Sequence, residues 1–126
     1  MYRSHLGTLP DENWQFNSDN ETFYHFFNMT VVFQSWNFYR RVLMDEAYKM
    51  GWPLARHMLL VFPNNSVAYT NEHIRFQFML GTELLVAPVF KEGTTSVKVF
   101  LPANTTWVHV WTNKVYKGMY SCILSA

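Results

Sequence analysis

The stretch Gln77-Phe78-Met79-Leu80-Gly81-Thr82-Glu83-Leu84-Leu85-Val86-Ala87-Pro88-Val89 is where the character of this 126-residue chain changes. Its first half reads as the last turn of a helix capped at Thr70 or Asn71, with Gly81 as the left-handed stop after Met79. Its second half, continuing to Phe90, reads as a strand that Pro88 interrupts, which implies a sheet edge or a bulge. The helix-bearing part of the chain therefore ends near residue 82, and β structure follows.

Upstream, Arg56 to Phe62 is a short apolar run between Pro53 and Pro63. That pattern predicts a parallel strand buried on both faces, ended by Pro63-Asn64-Asn65. Before it, Ser18 with Glu21 three residues on forms a capping box that opens a helix, and Gly51 with Pro53 closes it. A single helix from Asp19 to Met50 would run about 48 Å, too long for a chain of this size, so a break is expected within Gln34 to Asn37, with a second helix from Phe38 to Met50. Apolar residues surround the first helix (Phe23, Phe26, Phe27, Met29, Val31, Val32), which predicts burial between layers. Residues 1–17 read as loop.

Downstream, Lys91-Glu92-Gly93 turns the chain. Ser96 to Leu101 and Thr106 to Trp111 then alternate with period two, placing Trp107, His109 and Trp111 on one face and Val108 and Val110 on the other. The expected fold is an α/β segment over 1–82 followed by antiparallel β structure over 83–126.

The net charge of +1, with 49% apolar residues, leaves no basic footprint for nucleic acid and no polybasic run for an acidic membrane. The longest apolar runs, Met58 to Phe62 and Leu84 to Phe90, fall far short of the roughly 20 residues that span a bilayer. No apolar stretch follows Met1 to His5, so the chain as given is expected to carry no signal peptide. A lone cysteine, Cys122, excludes an internal disulfide and a cysteine-based zinc site. The five histidines lack ligand spacing, and no phosphate loop or dinucleotide fingerprint occurs, so neither metal nor cofactor is expected. The paired carboxylates Asp11-Glu12 and Asp45-Glu46 are sequence neighbours that point in different directions, unlike a glycosidase pair aimed at one bond. Four Asn-x-Ser/Thr sequons begin at Asn20, Asn28, Asn64 and Asn104, against about 1.3 expected by chance, which favours the secretory pathway or lysosome. Asn20, Asn64 and Asn104 are the acceptor candidates; Asn28 falls mid-helix. Aromatic content of 18% supplies large buried area or sugar-stacking surface.

Taken in order, Arg3-Ser4-His5, Gly51-Trp52-Pro53, Arg56-His57-Met58-Leu59, Phe62-Pro63 and the Gln77 to Val89 string resemble glycoside hydrolase family 31. Val99-Phe100-Leu101-Pro102, Trp107 to Trp111 and Tyr116-Lys117-Gly118 resemble the strand pair that follows its barrel. The resemblance runs from residue 2 to about 118. It implies a retaining α-glycosidase on a (β/α)₈ TIM barrel with appended β-domains, acting on an α-glycoside. Residues 1–82 would be the last βα units of that barrel, and 83–126 the start of the proximal C-terminal antiparallel β-sandwich domain. His5 matches the family's histidine that hydrogen-bonds the sugar, and Arg3 the arginine of the same Arg-x-His motif. The family's nucleophile and general acid are aspartates located before that motif. None of Asp11, Asp19 or Asp45 matches them, so no catalytic residue is assigned and the chain alone is expected to be inactive.

Pro10-Asp11-Glu12-Asn13-Trp14-Gln15-Phe16 with Ser18-Asp19, and His57 after Arg56, look most like the sulfoquinovosidase-type branch. Leu6, Thr8 and Leu9 depart from that branch, which has Glu, Asn and Arg there. The alternative is a non-catalytic carbohydrate-binding or interaction fragment, with Trp107 and Trp111 as stacking candidates. In either case a chain this short is expected to expose apolar patches.

Overall fold

A computed structural model describes residues 19–70, 75–91 and 93–125. Helix α1 (Asn20–Ser35) starts where Asp19 takes extended backbone angles and its carboxylate accepts from the Thr22 amide at 2.6 Å and the Thr22 hydroxyl at 2.8 Å. The cap is thus Asp19 rather than Ser18, which lies outside the described residues. A carboxylate this close to two donors satisfies the first turn one residue later than the capping-box pattern predicts.

The expected helix break is present. Trp36 leaves helical geometry, and α2 (Asn37–Met50) begins after it. Arg40 holds this corner: its guanidinium donates to the Phe33 carbonyl, reaches the Asn37 side-chain oxygen at 3.5 Å, and stacks 3.5 Å from the Phe33 ring centroid. Gly51 at φ +76° ends α2, its amide donating to Ala47 O at 2.9 Å, as the sequence predicts. The expected burial of α1 between layers is not met among the described residues: none of its side chains is buried. Its apolar residues are distributed around the helix, so none of its faces is singled out for burial.

The chain divides into two compact units, residues 1–45 and 46–126. The second is built on two antiparallel sheets. The first sheet has the order β1 (Ala55–Arg56), β2 (Phe78–Leu80), β3 (Leu84–Val86). Pairing sets Ala55 against Leu80, Arg56 against Met79, Phe78 against Val86 and Leu80 against Leu84. Two expectations are corrected here. The apolar run Arg56 to Phe62 is not one parallel strand. His57 caps a helical turn, α3 (Met58–Val61), by accepting from the Leu59 amide at 3.1 Å, so strand and helix divide the run between them. The predicted helix does not extend through Met79: residues 71–74 lie outside the described residues, α4 (Val67–Thr70) is one turn, and residues 78–80 pair on both edges as a strand. Gly81 does adopt φ +63°, as predicted, but it turns the β2–β3 hairpin across residue 82 and donates to Leu54 O at 2.8 Å. Long-range pairing overrides the helix propensity of Gln77, Met79 and Leu80. Strand β3 stops two residues short of Pro88, which lacks the ladder donor.

The second sheet is a ribbon of β4 (Ser96–Val108) and β5 (Val115–Ser125). The two alternating segments seen in sequence join into one strand, with register shifts between Val99 and Leu101 and between Leu101 and Thr106. Strand β4 ends at Val108, and His109 to Lys114 close the turn through His109 N to Lys114 O at 2.9 Å. Trp111 therefore sits in a turn and does not share a strand face with Trp107.

Met58, Ala68, Met79 and Phe100 form the core of this unit, each no more than 2% exposed, with Phe62, Leu85 and Trp107 packed against them. Residues from both sheets and both short helices meet there. The result is a small α/β fold with antiparallel sheets.

Candidate functional site

His5 and Arg3, the sugar-contact candidates, lie outside the described residues. The acceptor candidates are placed. Asn20 is exposed at the first turn of α1, Asn64 is exposed after α3, and Asn104 is exposed in β4 at φ +63°, within the second register shift. Asn28 is within α1, where the Thr30 hydroxyl of its sequon is turned onto the Phe26 carbonyl at 2.9 Å.

Asn64 and Asn104 line one groove of about 450 Å³, between residues 61–67 and 102–104. Local chemistry shapes both walls. Asn65 accepts from the Val67 amide at 3.1 Å, and the Tyr69 hydroxyl donates to Pro63 O at 2.8 Å, fixing the loop after α3. On the other wall the Thr105 hydroxyl donates to Pro102 O and accepts from Trp107 Nε1 at 2.6 Å. The groove offers carboxamides, a serine hydroxyl and proline rings, but no carboxylate and no imidazole. Such a surface can hydrogen-bond a polar ligand.

The buried polar residues are structural. Arg56, 3% exposed, donates from Nε to Pro53 O at 2.8 Å, pairs through Nη2 with Glu46 at 2.5 Å, and lies 5.3 Å from the Trp52 ring centroid. Gln77, 4% exposed, exchanges two hydrogen bonds with the backbone of Phe100. Sequence reasoning singled out both residues as parts of motifs and assigned them no role; a glutamine and an arginine inside otherwise apolar runs are the available signal. Among the described residues no group of three His, Cys, Asp or Glu could hold a metal ion, and no helix is long and apolar enough to cross a membrane. Trp107 is half-buried against Phe62, with ring centroids 6.5 Å apart, whereas Trp111 is 61% exposed.

The sequence profile of the glycosyl hydrolase family 31 C-terminal domain matches residues 51–125. The sulfoquinovosidase of Escherichia coli is 37% identical over 118 residues, covering 94% of this chain and 17% of that protein. The sulfoquinovosidase of Agrobacterium fabrum is 34% identical over the same length and shares. Among solved structures, a family 31 sulfoquinovosidase from E. rectale in complex with an aza-sugar inhibitor superposes with a TM-score of 0.89. It is 29% identical, over 98% of this chain and 18% of that one. A family 31 α-xylosidase from a soil metagenome, complexed with xylose, gives 0.79 at 27% identity, over 86% of this chain and 16% of that one. The chain thus spans about a sixth of the length of the curated relatives it matches.

Proposed function

The chain belongs to glycoside hydrolase family 31, and from that membership we propose that it is the sugar-contacting, non-catalytic part of a retaining α-glycosidase that hydrolyses O-glycosyl bonds. In this reading residues 1–82 are the last βα units of the (β/α)₈ barrel and 83–126 open the adjoining β-domain, with the β2–β3 hairpin at their junction. The observation that carries it is the match to two sulfoquinovosidases over 94% of the chain, a span wide enough to include the helix pair α1–α2 and both sheets.

His5 is the residue that touches substrate. Barrel active sites are built from the loops that follow the strands, and an imidazole there can donate to or accept from a sugar hydroxyl, a bond that strengthens as the ring distorts. Arg3, of the same Arg-x-His motif, is the second substrate-binding residue of this reading. The acid and the nucleophile come from elsewhere in the family fold, since no aspartate of this chain stands in a matching position. With Leu9 where the sulfoquinovosidase-type branch has an arginine, this stretch lacks one of the cations that would pair with a sulfonate. A neutral α-glycoside is the proposed substrate.

A graft tests this. The full 126-residue chain replaces the matching stretch of the E. coli sulfoquinovosidase, and the chimaera is assayed on aryl α-glucoside and aryl α-sulfoquinovoside. We expect hydrolysis by the chimaera, a shift toward the glucoside, at least tenfold loss on His5→Ala, and no turnover by the 126-residue chain alone. His5-dependent turnover by the isolated chain, or a folded chimaera indifferent to His5→Ala, would overturn the proposal.

A further inference from the structure

Strand β4 holds more residues than its partner at one place. Leu101 pairs with Met119 and Thr106 with Lys117, so residues 102–105 stand opposite Gly118 alone, three more than one-to-one pairing allows. A bulge of this kind re-aims a side chain out of the ladder. Buried Pro102 anchors it, and the Thr105 hydroxyl pins it by donating to Pro102 O while accepting from Trp107 Nε1 at 2.6 Å. The residue it presents is Asn104, exposed, at φ +63°. Asparagine is among the few residues that tolerate this conformation, so backbone geometry accounts for an asparagine here, and Asn113 at φ +55° meets the same need in the next turn. Geometry does not account for Thr106. Asn113 is followed by Lys114 and Val115, whereas Asn104-Thr105-Thr106 is a complete acceptor sequon for an N-linked glycan. At the two sequons of α1 the third-position hydroxyls are turned into the helix, Thr22 onto the Asp19 carboxylate at 2.8 Å and Thr30 onto the Phe26 carbonyl at 2.9 Å; Thr106 is exposed.

The groove beside Asn104 is the second observation. Its volume of about 450 Å³ lies within the range of about 300–1,000 Å³ of sites that hold small ligands. On its opposite wall Asn64 is exposed at the tip of a turn closed by Asn65 N donating to Phe62 O at 3.1 Å. Between the two asparagines lie Phe62, Pro63 and Pro102. An N-acetylated amino sugar has an apolar ring face and methyl group to set against such rings, and hydroxyls and an amide to pair with carboxamides. We propose that Asn104 is an N-glycosylation site and that this groove seats the innermost amino sugar of its glycan, with the Asn64 carboxamide as the polar contact on the facing wall. The oligosaccharide comes from a polyprenyl-pyrophosphate donor. A bond forms between Asn104 Nδ2 and C1 of the sugar as the bond from C1 to the pyrophosphate oxygen breaks. The pyrophosphate leaves with the electron pair, and the proton shed by Nδ2 passes to a base of the transferase.

The test uses the full chain behind a secretion leader, in human cells that make only high-mannose glycans, in the background Asn20→Gln, Asn28→Gln, Ser66→Ala. This background leaves Asn104 as the acceptor and keeps the Asn64 carboxamide in the groove. Intact mass before and after peptide-N-glycosidase should show one glycan, and Thr106→Val, which retains Asn104, should lose it. Trimming to the innermost sugar by endoglycosidase should leave the thermal midpoint unchanged, and complete removal should lower it by about 4 °C, the worth of one hydrogen bond. Asn64→Ala should speed native release of the glycan about fivefold. Both readouts are repeated on the chimaera described above, expressed in the same cells, which holds the groove if the isolated chain unfolds. An unoccupied Asn104 overturns the proposal. So does an occupied Asn104 whose release from the chimaera is indifferent to Asn64→Ala, or whose complete removal leaves the midpoint of the trimmed form.

Discussion

The side chain of Gln77 stands in for a missing strand at Phe100: its Nε2 donates to Phe100 O at 2.9 Å, and its Oε1 accepts from Phe100 N at 2.8 Å. Phe100 falls at the register shift between Val99 and Leu101, where β4 and β5 lose their one-to-one pairing. Its backbone is buried at 1% exposure, and both groups need partners. Gln77 directly precedes β2, so one carboxamide ties the first sheet to the second. Gln77→Ala leaves two buried backbone groups unsatisfied and should cost about 2–5 kcal/mol. Gln77→Glu keeps the acceptor and loses the donor while ionised. The introduced carboxyl is then held above its ordinary value, so its penalty is largest at neutral pH and shrinks as pH falls. Urea unfolding followed by tryptophan emission at pH 7 and pH 5 checks both; an unchanged midpoint for Gln77→Ala would remove Gln77 from this role.

Two glycines are required for opposite reasons, and alanine separates them. At Gly51 the backbone is left-handed at φ +76° and a Cβ would meet nothing within 4 Å, so the cost is conformational strain of about 1–2 kcal/mol. At Gly118 a Cβ would lie 1.8 Å from Pro102 O and 2.8 Å from its carbon. That contact is backbone against backbone across the β4–β5 ribbon, and relief requires the strands to part, at a cost of about 3 kcal/mol or more. Gly51→Asn should recover part of the loss at the first site, because asparagine tolerates the left-handed region. Gly118→Ser should be no better than Gly118→Ala. Thermal midpoints of the four variants decide it, and a Gly118→Ala protein as stable as the parent would contradict the packing described.

The buried arginine yields a further test. Arg56→Met removes the partner of Glu46, whose carboxylate is 31% exposed, and strands the Pro53 carbonyl. Breaking one side of a buried pair costs about 3–5 kcal/mol, and the partial exposure of Glu46 places the expectation near the lower end. Arg56→Met with Glu46→Met should regain a measurable part, since two apolar side chains leave no uncompensated charge. Denaturant midpoints for the single and double variants give the coupling; strict additivity would show that the 2.5 Å contact carries no energy.

What could be read from sequence follows a physical division. The break at Trp36 and the stop at Gly51 are local: one follows from the length of the helix, the other from a residue that tolerates positive φ, and both were legible. Gly81 was legible as a left-handed residue but not as a hairpin turn, because its role depends on Ala55 and Arg56 pairing with residues 24 positions or so downstream. Phe78, Met79 and Leu80 suit a helix as well as a strand, and only their neighbours on both edges decide. The Gln77–Phe100 exchange was illegible for a related reason, since it answers a register shift that no sequence pattern marks. Arg3 and His5 became candidates only through resemblance to the family's Arg-x-His motif; in composition and spacing they are two polar residues of a loop.

The tryptophans Trp107 and Trp111 distinguish the enzyme reading from a carbohydrate-binding fragment. Trp107 packs on Phe62 and donates to the Thr105 hydroxyl, whereas Trp111 projects from the turn after β4. Trp107→Ala should therefore destabilise the chain by about 2–4 kcal/mol, and Trp111→Ala should stay within about 0.5 kcal/mol. A stacking site needs an exposed ring, which leaves Trp111 to carry it. If the chain is the sugar-contacting part of a larger site, the Trp111 ring by itself should hold glucan too weakly to register, and saturating soluble glucan should leave tryptophan emission unchanged in the parent and in Trp111→Ala alike. Saturable quenching that Trp111→Ala abolishes and Trp107→Phe leaves intact would establish a binding surface on the turn and favour the fragment as a carbohydrate-binding module in its own right.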